Sequence, residues 1–208
     1  MSLLFYESPI IGAASVASIG AALYSENKLL IGVSITIFIL LLFFYRSFND
    51  VIIASDDDVV SPCEGVVVKI ENLGEYIYVA IFMSVINRHT QIYPANCRVI
   101  SRVFDDTGRF HLVANLDKSK YNEKKIHNLM LDNGGFIQLT QIAGALPRAI
   151  TSSDDLGSYF AGDYLGMIKF GSRIDLKISK KSMTGEFQLY INENDHVNIG
   201  KLIGVYVR

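Results

Sequence analysis

The segment GMIKFGSRIDLKI, residues 166–178, alternates apolar side chains with polar or charged ones, and this period of two predicts a half-buried β-strand. The apolar positions are Ile168, Phe170, Ile174, Leu176 and Ile178. Ser172 falls on the same face, where a hydroxyl needs a hydrogen-bond partner or a chemical role. Gly171 beside it allows another backbone or a ligand to approach closely. The pattern alone leaves open both a structural serine, bonded to a neighbouring carbonyl, and a reactive one.

The chain around this segment, residues 47–208, consists of short apolar runs separated by turn residues. Many short strands at this spacing indicate a mostly β domain, built as a compact β-barrel or sandwich. A helix is expected around residues 117–130, where polar and charged side chains dominate. The predicted strands are 65–70, 76–82, 98–104, 110–115, 136–142, 166–178, 186–191 and 199–207.

The N-terminal part, residues 1–46, has a different composition. Residues 9–23 and 29–45 contain no charged side chain and are separated by the polar turn YSENK, residues 24–28. The second stretch approaches the ~20 residues that a membrane-spanning helix needs, and the first is shorter. We expect a hydrophobic helical hairpin inserted in a membrane, spanning or re-entrant, with two buried helices of a soluble protein as the alternative.

The overall composition excludes several classes of function. The chain carries 19 basic and 21 acidic residues and a net charge of −2, so it lacks the basic excess of a nucleic-acid-binding protein. Cys63 and Cys97 are too few for a disulfide framework, and no CxxC or HxxxH spacing indicates structural zinc. The acidic run at 56–58 has no spaced ligand pattern after it, so we expect a linker and no metal site.

Six short segments resemble, in the same order, motifs of the short form of the phosphatidylserine decarboxylase family. They are FFYR (43–46), SPCEG (61–65), FMS (82–84) followed by His89 and Pro94, NE (122–123), QIAG (141–144) and FGSR (170–173). Three of the segments depart from the family pattern. Glu64 replaces the motif aspartate, Gln91 and Ile92 replace an Asn-Arg pair, and residues 147–149 read PRA where the family has ARR.

The resemblance implies a pyruvoyl enzyme that cleaves its own chain between Gly171 and Ser172. Ser172 would attack the Gly171 carbonyl and end as a pyruvoyl group at the start of an α chain, 172–208, which remains with a β chain, 1–171. The pyruvoyl group would form a Schiff base with the substrate amine and accept electrons as carbon dioxide leaves. A serine hydroxyl needs a base, and the matched motifs offer His89 for that role and Glu64 to orient it.

The resemblance also implies a substrate and a location. The substrate would be phosphatidylserine in a membrane and the product phosphatidylethanolamine, with the enzyme at the cell membrane and its catalytic domain on the cytoplasmic side. A serine lipid with ether-linked isoprenoid chains (archaetidylserine) presents the same head group. Homo-oligomerisation and the orientation of the hairpin are left open.

Three other interpretations compete with this one. A family homologue that no longer matures could bind phosphoserine lipids without converting them. A membrane-tethered β-barrel binding module would use Ser172 only for packing. A hydrolase would keep Ser172 as a nucleophile, but the sequence lacks a GxSxG elbow around it.

Overall fold

The computed structural model describes residues 3–106, 111–112, 116–144, 150–169 and 171–208. The chain divides into two compact units, Met1–Asn49 and Asp50–Arg208. The first unit is helical and the second consists mainly of antiparallel strands.

The first unit is a helical hairpin. Asn27 caps the helix that follows the turn, because its side chain accepts hydrogen bonds from the backbone N–H groups of Leu29 at 3.0 Å and Leu30 at 3.2 Å. The hydroxyls of Ser18 and Ser34 lie 3.2 Å apart across the hairpin. Within the described residues, no helix has the length and apolar character needed to cross a membrane. The helices are α1 (Leu3–Glu7), α2 (Pro9–Tyr24) and α3 (Lys28–Phe44).

The second unit contains three antiparallel sheets and one short helix, α4 (Leu116–Ser119). The largest sheet has eight strands in the order β13-β2-β3-β11-β7-β6-β5-β9, and the two smaller ones have the orders β1-β14-β12 and β4-β10-β8. The predicted class, mostly β with an N-terminal helical hairpin, is confirmed, and the described strands form sheets that are not closed into barrels. The strands are β1 (Asp58–Val60), β2 (Gly65–Leu73), β3 (Tyr76–Met83), β4 (Thr90–Ile92), β5 (Cys97–Asp105), β6 (Lys124–Leu131), β7 (Phe136–Ala143), β8 (Ile150–Ser152), β9 (Ser158–Tyr159), β10 (Tyr164–Ile168), β11 (Ser172–Ser179), β12 (Glu186–Leu189), β13 (His196–Val197) and β14 (Leu202–Val207).

Strand β11 lies between β3 and β7 in the large sheet, and its alternation is as predicted. The side chains of Ser172, Ile174, Leu176 and Ile178 are all fully buried. The expectation of one continuous strand over 166–178 was wrong, because β10 ends at Ile168 and β11 begins at Ser172. The break includes Gly171, whose φ of +69° is incompatible with a strand. Ser172 is therefore the first residue of β11, and it is buried in the core.

The helix expected over 117–130 was also wrong. Only Leu116–Ser119 is helical there, and β6 follows from Lys124. The buried face of β6 carries Lys125 and His127 before Leu129 and Leu131. Two polar side chains on the buried face conceal the period of two from a sequence-based reading.

The strands predicted at 65–70, 76–82, 98–104, 136–142 and 186–191 are present, with small differences at their ends. The last predicted strand, 199–207, begins only at Leu202. The strand predicted at 110–115 falls largely outside the described residues.

Candidate active site

Ser172 is buried at the start of β11, between two neighbouring strands. It pairs with Met83 of β3 on one side and with Ala143 of β7 on the other. Its side chain is fully buried, and its Oγ has no hydrogen-bond partner among the described residues. Buried polar groups are nearly always hydrogen-bonded, so this hydroxyl calls for an explanation. A chemical role for the hydroxyl provides one.

Gly171 gives the bond before Ser172 an unusual conformation. Its φ of +69° lies in the left-handed region, which residues with a Cβ rarely adopt. Apart from its two chain neighbours, no described residue has an atom within 4 Å of the position that a Cβ would take on Gly171. The backbone immediately before the buried serine is therefore bent at a left-handed residue, with space beside it among the described residues.

His89 lies just before β4 and is fully buried. Its Nδ1 is 2.8 Å from the carbonyl oxygen of Asn87. A carbonyl oxygen only accepts hydrogen bonds, so Nδ1 carries the hydrogen, and in the neutral ring Nε2 has the basic lone pair. Strand β4 pairs with β10, with Thr90 opposite Met167, so the histidine segment adjoins the strand that leads to Gly171.

Glu64 contacts the segment that leads to His89. Its Oε1 accepts a hydrogen bond of 2.9 Å from Nδ2 of Asn87, and its Oε2 lies 3.9 Å from Nε of Arg88. Glu64 and the His89 ring thus meet on the same residue, Asn87, through its side chain and its carbonyl respectively. The carboxylate orients the loop that presents the imidazole.

A chain of buried polar side chains, which the sequence analysis missed, extends from His89 into the large sheet. Nε2 of Gln91 donates to the carbonyl oxygen of His89 at 2.7 Å, and Nε2 of Gln141 donates to Oε1 of Gln91 at 2.8 Å. Oε1 of Gln141 lies 2.8 Å from Nε2 of His127, and Nη1 of Arg102 lies 3.1 Å from Nδ1 of His127. The two glutamines and both histidines are fully buried.

These polar side chains contact the strand that pairs with the serine. Nε2 of Gln91 is 3.9 Å from Sδ of Met83, the residue that pairs with Ser172. The structure therefore brings the Ser172 strand and the His89 segment together around Gln91. The signal that could have identified this residue was its position: it departs from the resembled motif two residues after the candidate base.

Asn122 fixes the neighbouring strand β7, and Arg173 fixes the serine's own strand β11. Nδ2 of Asn122 donates to the carbonyl oxygen of Ala143 at 2.8 Å. The Arg173 guanidinium forms two hydrogen bonds to the Asp175 carboxylate, at 2.7 and 3.1 Å, and a third to Oγ of Ser119 at 2.6 Å. Arg173 is almost fully buried, so this pair is a structural anchor of β11.

The second unit is thus an antiparallel β-protein that buries Ser172 at the start of β11 and His89 before β4, with Glu64 hydrogen-bonded to Asn87 in the segment that leads to His89. The sequence model of the phosphatidylserine decarboxylase family matches residues 40–205. The chain belongs to the phosphatidylserine decarboxylase family.

Similar proteins named phosphatidylserine decarboxylase proenzyme agree with this membership. The one from Rickettsia typhi is 32% identical over 81% of this chain and 78% of its own length. The one from Geotalea daltonii is 33% identical over 76% of this chain and 79% of its own. The match to the protein of Rickettsia akari, also 32% identical, spans 65% of that relative's length and 68% of this chain. No solved structure matches this chain.

Proposed function

We propose that this protein decarboxylates phosphatidylserine to phosphatidylethanolamine with a pyruvoyl group that it makes from its own Ser172. The observation that carries the proposal is the buried Ser172 hydroxyl, which has no hydrogen-bond partner among the described residues and directly follows the left-handed Gly171. Family membership supports the reaction class, and the word proenzyme in the relatives' names supports a chain that is processed.

The self-processing reaction begins with attack of the Ser172 Oγ on the carbonyl carbon of Gly171. The C–N bond between the two residues breaks, the hydroxyl proton leaves to a base, and the freed nitrogen becomes an amine. The resulting ester then eliminates: the Cα proton and the Cβ–Oγ bond are lost, and Gly171 ends as a carboxylate that contains the serine oxygen. Residue 172 becomes dehydroalanine, and one water converts it to pyruvoyl with release of ammonia.

The surroundings of Ser172 suit the product of this reaction. The serine Cβ becomes a methyl group, and the lost oxygen makes no hydrogen bond among the described residues, so its removal breaks none there. The two paired neighbours, Met83 and Ala143, are apolar and fully buried, as a methyl group requires. The pyruvoyl carbonyl supplies an electron sink for the carbanion that forms when carbon dioxide leaves.

His89 and Glu64 supply proton transfer and positioning in this proposal. With Nδ1–H held by the Asn87 carbonyl, Nε2 of a neutral His89 is the atom available to accept a proton. The Glu64 carboxylate holds Asn87, and through it the loop that contains His89. Glu64 is therefore a positioning residue in this proposal, and His89 is the base.

The lipid substrate requires the enzyme to work at a membrane surface. The hairpin of the first unit exposes apolar side chains such as Ile10, at 84%, and Leu29, at 75%. In the second unit, Val85 and Ile86 are 59% and 68% exposed in the loop that leads to His89. In this proposal the protein works at the cell membrane, and the acyl chains of the substrate stay in the bilayer. The cytoplasmic side for the catalytic domain is implied by the family resemblance alone. An ether-linked serine lipid offers the same head group.

Intact mass spectrometry of the purified full-length chain tests the processing. We expect a β chain ending at Gly171 and an α chain from residue 172 that is lighter, by one ammonia, than a chain starting with serine. Borohydride should reduce the α chain, and Ser172→Ala should stay whole. Ser152→Ala is the matched control, because it also removes a buried hydroxyl without a hydrogen-bond partner, and it should be processed normally. A folded wild-type chain that stays uncleaved would instead favour a lipid-binding homologue that does not mature.

A further inference from the structure

A series of hydrogen bonds connects Arg102 to His89 through other side chains, and in each bond the donor is the group nearer to Arg102. A guanidinium only donates, so Nδ1 of His127 must accept from Arg102 at 3.1 Å. The neutral ring then carries its hydrogen on Nε2, which donates to Oε1 of Gln141 at 2.8 Å. Each of the two glutamine amides accepts at its oxygen and donates from its nitrogen. Gln141 donates to Gln91, and Gln91 donates to the carbonyl of His89, where the series of hydrogen bonds ends.

We propose that His127 is a positioning residue of the active site, which helps to fix the His89 backbone by stabilising one orientation of the two buried glutamine amides. The proposal rests on the proposed function for the role of Ser172 and His89. It assigns a task to Gln91, Gln141 and His127 that the resembled motifs do not give them.

A glutamine amide can rotate by half a turn and exchange its donor for its acceptor at little cost in volume. Only its hydrogen-bond partners select one orientation. His127 provides that selection at Gln141, because its Nε2–H requires an acceptor oxygen opposite it. At the other end, the His89 carbonyl only accepts, so it also favours this orientation by holding the Gln91 nitrogen toward it. Without the His127 donor, the Gln141 oxygen is left buried without that partner, and the reversed orientation of both amides, which presents the Gln91 oxygen to the His89 carbonyl, becomes less disfavoured. Two facing acceptors repel, so the His89 backbone would move.

The charges around His127 favour the neutral ring with its hydrogen on Nε2, which the series of hydrogen bonds requires. Arg102 on β5 donates to Nδ1, which cannot also carry a hydrogen toward the guanidinium. Lys125, two residues away on β6, is bound to the Asp154 carboxylate at 2.7 Å. Burial chiefly, aided by the positive charges of Arg102 and Lys125, lowers the pKa of His127 to about 4, although the hydrogen bond that His127 donates to Gln141 opposes this shift. The ring is therefore neutral at physiological pH, and every hydrogen bond in the series from Arg102 to His89 keeps its donor on the Arg102 side.

Two substitutions separate this role from simple packing. His127→Leu removes both hydrogen bonds of the ring. His127→Gln retains an amide that can accept from Arg102 and donate to Gln141. Asn128→Leu is the matched control: Asn128 also makes two side-chain hydrogen bonds, to Ser101 and Gln138, on the other face of the same strand.

The first measurement is the NMR spectrum of ring-labelled histidines in the full-length Ser172→Ala chain, which needs no processing. We expect His127 to show a protonated Nε2 and a bare Nδ1 at pH 7. We expect one His89 signal set in the parent, in Asn128→Leu and in His127→Gln, and several sets or broadened signals in His127→Leu. A protonated Nδ1 on His127, or an unchanged His89 signal in His127→Leu, would overturn the proposal.

The second measurement is the rate of self-cleavage in chains that retain Ser172. His127→Leu should slow cleavage at least about tenfold, as loss of a residue that orients a catalytic group does, and His127→Gln should restore most of the rate. If His127→Leu and Asn128→Leu slowed self-cleavage equally, the cause would be a less stable strand, and the positioning role of His127 would be refuted. If the parent chain fails to cleave, the proposed function fails, while the histidine spectra still decide the role of His127.

Discussion

Substitution of Gly171 by alanine tests the backbone geometry on which self-processing depends. Apart from the chain neighbours, no described residue has an atom within 4 Å of the added Cβ, so the substitution causes no steric clash with them. The remaining effect is backbone strain, because φ at Gly171 is +69° and an L-residue with a side chain disfavours this region by about 1–2 kcal/mol. We expect Gly171→Ala to lower the free energy of unfolding by that amount.

The sign of the change in stability is diagnostic. Alanine at a glycine position with an ordinary backbone conformation stabilises a protein by about 0.4–1 kcal/mol, because it restricts the unfolded chain. Gly74 provides a matched control: its φ is +67°, it lies in the turn between β2 and β3, and nothing lies within 4 Å of its Cβ position. Urea unfolding of both variants should give similar losses, measured in the Ser172→Ala chain so that cleavage does not interfere.

The two variants should differ in self-cleavage. If Gly171→Ala relaxes its strain by shifting φ, the Gly171 carbonyl moves relative to the Ser172 hydroxyl, and cleavage should slow by about tenfold or more. Gly74→Ala should cleave at the parent rate. Gly171→Ala with unchanged or raised stability would refute the left-handed turn. Normal cleavage despite the expected loss of stability would refute its role in processing.

Three further outcomes follow from the site. Glu64→Gln keeps an acceptor for Asn87 but loses the charge, so self-cleavage should slow by about fivefold, equivalent to roughly 1 kcal/mol, and Glu64→Ala should slow it further; equal rates in both variants would contradict the positioning role. Because the pKa of His127 is lowered to about 4 from 6.5, the contribution of this residue to the free energy of unfolding is fully present above pH 6.5 and is lost as the pH falls toward 4. Urea unfolding at pH 7 and pH 5 should differ by about 2 kcal/mol from this residue, a difference that should vanish in His127→Gln. The pair Val85→Ser and Ile86→Ser should weaken binding of the processed protein to phosphatidylserine vesicles without slowing self-cleavage; unchanged vesicle binding would exclude this loop as a membrane contact.

The sequence predicted the strand alternation around Ser172 because apolar residues at every second position identify a buried face without knowledge of the partner strands. It could not predict the interruption before Ser172, since glycine is compatible with a strand, a turn or a bulge. It also misassigned β6, where Lys125 and His127 point inward. Their burial is possible only because Asp154 and Gln141 are brought to them by the tertiary fold.

The candidate site was predictable to a similar extent. Motif resemblance identified Ser172, His89 and Glu64 as candidates, and their assigned roles are still predictions. The contact of Glu64 with Asn87 was not foreseeable, because it depends on how the loop after β3 folds back toward residue 64. Gln91 looked like a loss of the family pattern. In the fold it is a buried link between the His89 carbonyl and Gln141.

The central claim is that Ser172 becomes the group that decarboxylates the lipid. The most direct measurement is release of labelled carbon dioxide from vesicles of carboxyl-labelled phosphatidylserine by the purified full-length protein. The account predicts release by the processed wild-type chain, loss of release after borohydride treatment, and none from Ser172→Ala. Release by the uncleaved Ser172→Ala chain, or no release from a chain that has been cleaved and carries the pyruvoyl group, would contradict it.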